Sequence, residues 1–204
     1  MEKVLVGMSG GVDSAAAALL LRQAGYEPVG CTLHLYSGTD AGRPGSCCSL
    51  EDTEDARAVA ARLGMDFYVF NFKETFRLRV MDDFVAEYRA GRTPNPCIQC
   101  NRYIKFDALL RRAQDLDIPR IATGHYARVV YSEAAGRWQL LRGLDRRKDQ
   151  SYVLYPLTQR QLSRLLLPVG DYDKAAIRAM AEAAGLVNAR KPDSQDICFV
   201  PGGD

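Results

Sequence analysis

The sequence predicts an α/β fold with a doubly wound, mainly parallel sheet. Short apolar segments of strand length alternate with helical segments through the first part of the chain, and parallel sheets with right-handed crossovers show this alternation. The first apolar segment, Lys3 to Met8, also passes through a tight glycine turn directly into a helix. Ligands bind such sheets at the carboxyl ends of the strands, so this first turn is the expected place for a functional site.

The predicted strands are short and rich in apolar or β-branched residues. After Lys3 to Met8 they lie at Glu27 to Tyr36, Phe67 to Phe72 and Pro119 to His125. A hairpin is predicted over 126–144, because Ala134 to Gly136 forms a turn between two strand-like stretches.

The first three predicted helices end at a glycine, the residue that most often follows a helix C-terminus. They cover Val12 to Gln23 before Gly25, Leu50 to Leu63 before Gly64 and Lys73 to Ala90 before Gly91. Further helices are predicted over 101–116, 158–166 and 172–184.

Composition excludes several classes of protein. The chain has 204 residues, of which 47% are hydrophobic and 25% charged, so it can bury an ordinary globular core without cross-links. Its longest apolar run, Ala15 to Leu21, is far shorter than the about 20 residues that span a bilayer. No signal peptide is recognised, so we expect a cytoplasmic, reducing location in which the six cysteines are thiols, ligands or catalysts. Lys and Arg outnumber Asp and Glu in the second half, which is compatible with a polyanionic partner, although charge alone favours an ordinary solvated surface.

The glycine turn, residues 8–14, has the chemistry of a phosphate site. Gly10 and Gly11 allow close approach of the backbone to a ligand, and the helix that follows directs free N–H groups toward the same point. Ser9 and Ser14 add hydroxyl groups, and Asp13 could ligate Mg²⁺. Neither the Walker A nor the G-x-G-x-x-G pattern is present, and an ordinary serine-capped turn is the alternative.

Cys97 and Cys100 form a C-x-x-C pair immediately before a predicted helix, where the helix N-terminus and the nearby Arg102 and Lys105 favour thiolates. Such a pair alone is compatible with zinc, an iron–sulfur cluster or redox chemistry. Structural zinc is disfavoured, because the adjacent Cys47 and Cys48 would make a poorly placed second pair of ligands.

Five motifs in one order resemble a known family. SGGVDS after the first strand resembles the PP-loop of ATP pyrophosphatases, the adenine nucleotide α-hydrolase-like fold. Together the motifs GMSGGVDS, GRTPNPC-x-x-CN–IKF, ATGHY, LLRGLD–KDQSY and DS-x-x-ICF resemble the N-terminal catalytic domain of bacterial tRNA-specific 2-thiouridylases. The resemblance implies a catalytic domain over 1–197, with 198–204 beginning a linker to central and β-barrel domains.

The resemblance also implies roles for individual residues. It assigns ATP to Gly7, Met8, Ser9, Gly10, Gly11, Val12, Asp13, Ser14, Leu33 and Gly124. It assigns the target uridine to Asn95, Pro96 and Cys97, and other tRNA contacts to Lys148, Asp149 and Gln150. Cys100 matches the family's nucleophile and Cys198 its second catalytic cysteine. Many relatives carry Asp where this chain has Cys97, which leaves the role of this residue open.

The implied reaction is 2-thiolation of the wobble uridine (U34) of tRNA, with ATP and Mg²⁺. The C2 oxygen would be adenylated, and a persulfide on Cys198 would supply sulfur from a cysteine desulfurase or relay protein. Cys100 would then form a disulfide with Cys198. A [4Fe-4S] cluster on Cys97, Cys100 and Cys198 is a further expectation.

Two other functions fit parts of the sequence. One is a PP-loop ligase of the asparagine or argininosuccinate synthetase type, although amide formation needs no thiol. The other is a nucleotide-, tRNA- or cluster-binding module without turnover. His34, His125 and Cys31 are interpreted as structural residues, and Trp138 as a residue that packs within the hairpin.

Overall fold

A computed structural model describes residues 1–36, 50–193 and 197–200. The described strands are β1 (Lys3–Gly7), β2 (Glu27–His34), β3 (Phe67–Asn71), β4 (Arg120–Thr123), β5 (Ala127–Ser132), β6 (Arg137–Arg142) and β7 (Leu165–Leu166). Cys47 and Cys48 lie outside the described residues, as do 194–196 and 201–204.

The helices mostly follow their predicted positions. The α-helices are α1 (Val12–Gln23), α2 (Leu50–Arg62), α3 (Lys73–Phe76), α4 (Asp82–Arg89), α5 (Pro96–Cys100), α6 (Leu109–Asp115), α7 (Gln159–Leu162) and α8 (Lys174–Ala183). Wider π-type turns at Arg77–Met81 and Asn101–Ala108 connect α3 to α4 and α5 to α6, and single 3-10 turns lie at Ser151–Val153 and Pro168–Asp171. None of the helices in the described part of the chain has the length and apolarity that a bilayer-spanning segment needs.

The five-stranded sheet has the order β3-β2-β1-β4-β7, and all its pairings are parallel. The central strand β1 has β2 on one side and β4 on the other, so that Leu5 lies opposite Val29 and Ile121. The chain order therefore reverses at β1, which creates a crevice at the carboxyl ends of β1 and β4. The predicted doubly wound α/β fold is confirmed.

Successive residues of β1 face opposite sides of the sheet and bury both sides. Leu5 packs in one core cluster with Phe76 and Ile104, beneath the helices that precede β4. Val4 and Val6 pack in the other, with α1 and α8. This two-sided burial explains why β1 is a continuous apolar run.

Two predicted boundaries are wrong. The helix predicted over 158–166 ends at Leu162, and Leu165–Leu166 is instead the edge strand β7, paired with β4. Pairing with Ile121 lets Leu165 be buried, which a continued helix would not provide. The helix predicted from residue 101 begins already at Pro96, because the Asn95 side chain accepts a hydrogen bond from the Cys97 N–H and Pro96 suits the first helical position.

Candidate nucleotide and thiol site

The glycine turn leaves the start of α1 without a side-chain cap. Gly11, the N-cap, has no side chain to accept from the first-turn amides, and these amides have no intrahelical acceptor. The Ser14 hydroxyl donates to the Gly11 carbonyl at 3.0 Å and accepts from the Ser9 N–H at 3.2 Å, so Ser14 braces the turn from inside. The start of α1 therefore offers free N–H groups of the kind that bind anions, and phosphate binding there stays a prediction.

Two glycines allow neighbouring segments to touch the turn. Gly10 has φ +75°, and a Cβ there would collide with the backbone of Asp52 in α2. A Cβ on Gly124, just after β4, would lie 2.6 Å from Asp13 C and from Ser14 N. The start of α1 and the residue that follows β4 therefore lie against each other at the crevice.

Other predicted ATP residues lie at the ends of the neighbouring strands. Met8 is buried, its N–H donates to the Cys31 carbonyl at 2.7 Å, and its carbonyl accepts from the Thr32 hydroxyl at 3.0 Å. Leu33 lies near the end of β2 with its side chain buried in the core.

The Asp13 carboxylate is the centre of a charged network. It accepts a hydrogen bond from the Tyr126 hydroxyl at 2.8 Å, and Lys174 Nζ lies 2.7 and 2.8 Å from its two oxygens. Burial and the negative charge of Asp13 both raise the pKa of Tyr126, which keeps it a neutral donor. Mg²⁺ at Asp13 stays a prediction.

The network extends from Asp13 to the loop predicted to contact tRNA. Lys174 Nζ is also 2.7 Å from Asp193, whose other oxygen lies 2.7 Å from Lys148 Nζ. Arg178 lies 3.5 Å from Asp193. Burial would raise the pKa of Asp193, but hydrogen bonds from Lys148 and Lys174 outweigh it and lower this pKa to about 2.

The side chains of Asp149 and Gln150, predicted to contact tRNA, hold their own loop in shape. Asp149 accepts from the Gly143 N–H at 3.0 Å and from the Ser151 hydroxyl at 2.9 Å. Gln150 accepts from the Tyr126 N–H at 3.0 Å. Their contact with tRNA stays a prediction.

The structure separates the two cysteines of the C-x-x-C pair. Both lie in α5, where Cys97 is exposed and Cys100 is buried. Cys198 is half-buried and packs against the same core cluster that contains Cys100, and its neighbour Phe199 inserts beside Phe76. Cys100 and Cys198 therefore share one apolar cluster that Cys97 does not join.

The expected iron–sulfur site does not fit this arrangement. Among the described residues, no three or more His, Cys, Asp or Glu side chains are gathered so that they could hold a metal ion. Cys97, Cys100 and Cys198 are not gathered in this way because Cys97 is exposed whereas Cys100 is buried. No disulfide joins the described cysteines Cys31, Cys97, Cys100 and Cys198.

Sequence reasoning missed three residues of the site. Lys174 and Asp193 join the network described above, and the Asn188 side chain donates to the Gly10 carbonyl at 2.9 Å. All three lie more than 150 positions after the glycine turn and belong to no short motif that marks phosphate sites. Asp193 alone had a signal, because it begins the last of the five family motifs.

His125 is a satisfied structural residue, as interpreted from the sequence. Its Nδ1 lies 2.8 Å from the Thr123 hydroxyl, and its ring packs near Phe106. Burial, and to a lesser extent the charge of Lys105, hold its pKa well below the usual value, so the ring is neutral. Trp138 packs against Tyr131 across the hairpin, again as expected.

Residues 2–202 match the family model described as the tRNA methyl transferase HUP domain. The chain belongs to this family.

Two curated relatives are named tRNA-specific 2-thiouridylase MnmA. The relative from Carboxydothermus hydrogenoformans is 55% identical over 100% of this chain and 56% of its own length. The relative from Clostridioides difficile is 49% identical, again over 100% of this chain and 56% of its own length. The resemblance to bacterial 2-thiouridylases is confirmed, and this HUP domain spans a little over half the length of these relatives.

Solved structures share the fold of this HUP domain. A 4-thiouridine synthetase in complex with RNA and bound ATP superposes with a TM-score of 0.62, at 18% identity, over 97% of this chain and 45% of that chain. A predicted subunit of tRNA methyltransferase from Methanocaldococcus jannaschii gives 0.53, at 18% identity, over 89% and 75%.

Proposed function

We propose that this chain is the catalytic portion of a tRNA-uridine 2-sulfurtransferase that thiolates C2 of the wobble uridine (U34) with ATP. The observation that supports the proposal is that the chain combines an uncapped helix start after the central strand with two thiols that share one apolar cluster. The uncapped start of α1 lies at the carboxyl end of β1. The helical segment that leads into β4 begins with α5, whose last residue, Cys100, lies in an apolar cluster against which Cys198 also packs. An anion site alone would suit many ATP-dependent enzymes, whereas two thiols in one apolar cluster of the same domain favour sulfur transfer.

The chemistry assigns a task to each feature. The C2 oxygen of uracil is a poor leaving group. Transfer of AMP from ATP to this oxygen releases pyrophosphate and makes the oxygen leave as AMP. The start of α1 holds the phosphates, with Gly124 allowing close approach. Mg²⁺ would neutralise phosphate charge, and Asp13, in the first turn of α1, is a carboxylate that could ligate it.

Sulfur enters as the terminal atom of a persulfide on Cys198. This sulfur attacks C2, AMP departs, and a disulfide-type bond still links the new thiocarbonyl sulfur to Cys198. The Cys100 thiolate then attacks Cys198 Sγ, forming a Cys100–Cys198 disulfide and releasing 2-thiouridine. A thiol reductant restores both cysteines, and a cysteine desulfurase or sulfur-relay protein reloads Cys198.

The partners follow from this reaction. They are tRNA, contacted through Asn95, Pro96, Cys97 and Lys148 to Gln150, and the sulfur donor protein. A tRNA-modifying role places the protein in the cytoplasm.

The test is a thiolation assay on unmodified tRNA with Mg²⁺, ATP, cysteine and a cysteine desulfurase, with nucleosides separated and identified by mass. Because this chain spans only part of its relatives, the assay uses the full-length protein. We expect C100S and C198S each to lower 2-thiouridine formation at least about 100-fold, whereas the buried C31S outside the site keeps activity. Full activity of either C100S or C198S would contradict the role assigned to that residue. ATP cleavage that depends on a carboxylate instead of tRNA would favour a ligase.

A further inference from the structure

The glycine turn contains no basic residue between Gly7 and Ser14. A polyphosphate bound there would meet backbone amides, two hydroxyl groups and the carboxylate of Asp13. The carboxylate repels phosphate oxygens, and the partial positive charge of a helix start is only about half a unit. Beyond the charge that Mg²⁺ would neutralise, the turn itself supplies no full positive charge to a polyphosphate, and a cation from elsewhere in the chain would supply it.

The structure places such a cation at the turn. Lys174 begins α8, whose N-cap Asp173 accepts from the Ala176 N–H at 2.7 Å. Its backbone N–H donates to Asp145 at 3.2 Å. The buried Ile177 and Ala181 pack α8 in the same core cluster as α1. The ammonium group is thus carried on a fixed helix start, although it lies 161 positions from Asp13 in sequence.

The ammonium group is held between two carboxylates. Nζ lies 2.7 and 2.8 Å from the oxygens of Asp13 and 2.7 Å from Asp193. It also lies 5.8 Å from the centre of the Tyr126 ring, and only 13% of the side chain is exposed. Because the ammonium group is already largely removed from water, it loses little further hydration when a phosphate replaces one of its carboxylate partners. Hydrogen bonds between an ammonium group and a phosphate are charge-assisted and therefore strong.

Asp13 is a partner that can be exchanged, because 29% of its side chain is exposed and it stands in the first turn of α1. Asp193 keeps its bond to Lys148 when Lys174 is engaged elsewhere. Lys174 can therefore donate to a phosphate oxygen without leaving a buried carboxylate unpaired.

We propose that Lys174 is the polyphosphate-binding cation of this site, supplying the positive charge that the glycine turn lacks. The proposal rests on the ATP-dependent function above and names a residue that binds the β- and γ-phosphates or the pyrophosphate released from them. A purely structural ion pair between α8 and α1 is the rival explanation. The two differ in what happens when Asp13 is neutralised.

The test measures the affinity of the purified full-length protein for Mg-ATP and for Mg-pyrophosphate by calorimetry, with thermal unfolding recorded for each variant. We expect K174M to weaken both ligands about tenfold or more, and K174R to stay within about threefold of the wild type. K3M is the matched control, since Lys3 forms an exposed ion pair with Glu27 on β1 and β2, and it should bind like the wild type. Unchanged affinity in folded K174M would overturn the proposal.

The D13N and D13N/K174M variants separate binding from structure. If Lys174 binds phosphate, the double variant binds about tenfold more weakly than D13N. If Lys174 only neutralises Asp13, the two bind alike, which would refute the proposal. Absence of ATP binding by the wild type would instead refute the proposed function itself.

A measurement on the wild type covers the case in which K174M does not fold. Lysine acetylation, followed by peptide mass spectrometry, should slow about fivefold or more at Lys174 when Mg-pyrophosphate is added. Lys191, which pairs with Asp52 and Asp55 on α2 and has 24% of its side chain exposed, should not change. Equal acetylation of Lys174 with and without pyrophosphate would also refute the assignment.

Discussion

The ring of Phe199 packs edge-on against the ring of Phe84, with the ring centres 5.3 Å apart and the planes at 87°. Phe76 meets Phe199 in the same manner at 5.6 Å. Edge-to-face pairs of this kind stabilise by about 0.5–1.5 kcal/mol beyond the buried area. Phe199 directly follows Cys198, so this aromatic cluster on α3 and α4 fixes the chain on one side of the thiol.

Loss of the Phe199 ring should therefore loosen Cys198. We expect F199A to speed iodoacetamide labelling of Cys198 about fivefold and to lower the free energy of unfolding by about 1–3 kcal/mol. The control is Y88A, which removes a ring that contacts Phe84 at 4.8 Å and is 51% exposed. Equal labelling of Cys198 in F199A and the wild type would show that the aromatic cluster does not position this residue.

Gly124 should tolerate no side chain. In G124A the new Cβ would meet backbone atoms of Asp13 and Ser14 at 2.6 Å, and backbone cannot move aside as a flexible side chain can. We expect a loss of about 1–3 kcal/mol in the free energy of unfolding and an ATP affinity at least about tenfold lower.

Thermal unfolding and calorimetry measure both effects, with G7A as the comparison for stability. A Cβ on Gly7 makes only ordinary contacts, at 3.6 Å or more, so G7A should unfold close to the wild type. A G124A protein as stable as G7A would mean that the loop after β4 moves away from the turn at little cost.

The sequence predicted the parts of the fold that depend on local pattern. The burial of β1 on both faces and the glycine turn are short-range features that lie where expected, whereas the C-x-x-C pair lies within α5 and not before a helix. The strand β7 was missed because it has two residues, Leu165 and Leu166, and its only reason to be extended is pairing with the distant β4.

The site shows the same limit. Ser14 was assigned to the site from the local chemistry of the glycine turn, whereas Gly124 was assigned only through the resemblance to the family. Lys174 and Asn188 could not be predicted, since an isolated lysine or asparagine has many possible places on a surface. Only the packing of α8 on α1 brings Lys174 to Asp13, and only the path of the chain after α8 brings Asn188 to Gly10.

Asp193 should make the protein more stable above about pH 4 than below it. Its pKa is lowered to about 2 in the folded chain, against about 3.9 for an unfolded aspartate. A lowered folded-state pKa contributes stability that is fully present above the unfolded value and is lost as the pH falls toward the folded value. We expect this loss between about pH 4 and pH 2, on the order of 1 kcal/mol after solvent screening.

Chemical denaturation across this pH range, with the wild type and D193N compared, measures the effect. The difference in stability between the two proteins should shrink as the pH falls from 5 to 2. D171N is the control, because Asp171 has 65% of its side chain exposed and lies 3.8 Å from Arg128. A difference between wild type and D193N that stays constant with pH would contradict the ion pairs with Lys148 and Lys174.

The four described cysteines should react with iodoacetamide in an order set mainly by their exposure. Cys97 is exposed and follows the N-cap of α5, so it should react first. Cys31 is fully buried, its Sγ lies 3.4 Å from the Val6 carbonyl, and burial raises its pKa, so it should be the slowest. Cys198, which is half-buried, should react faster than the buried Cys100.

Peptide mass spectrometry of the folded protein after timed labelling measures all four rates. The control is the unfolded protein, in which the rates should converge. Faster labelling of Cys100 than of Cys97 would contradict the orientation of α5 in this structure. It would mean that Cys97, and not Cys100, faces the apolar cluster.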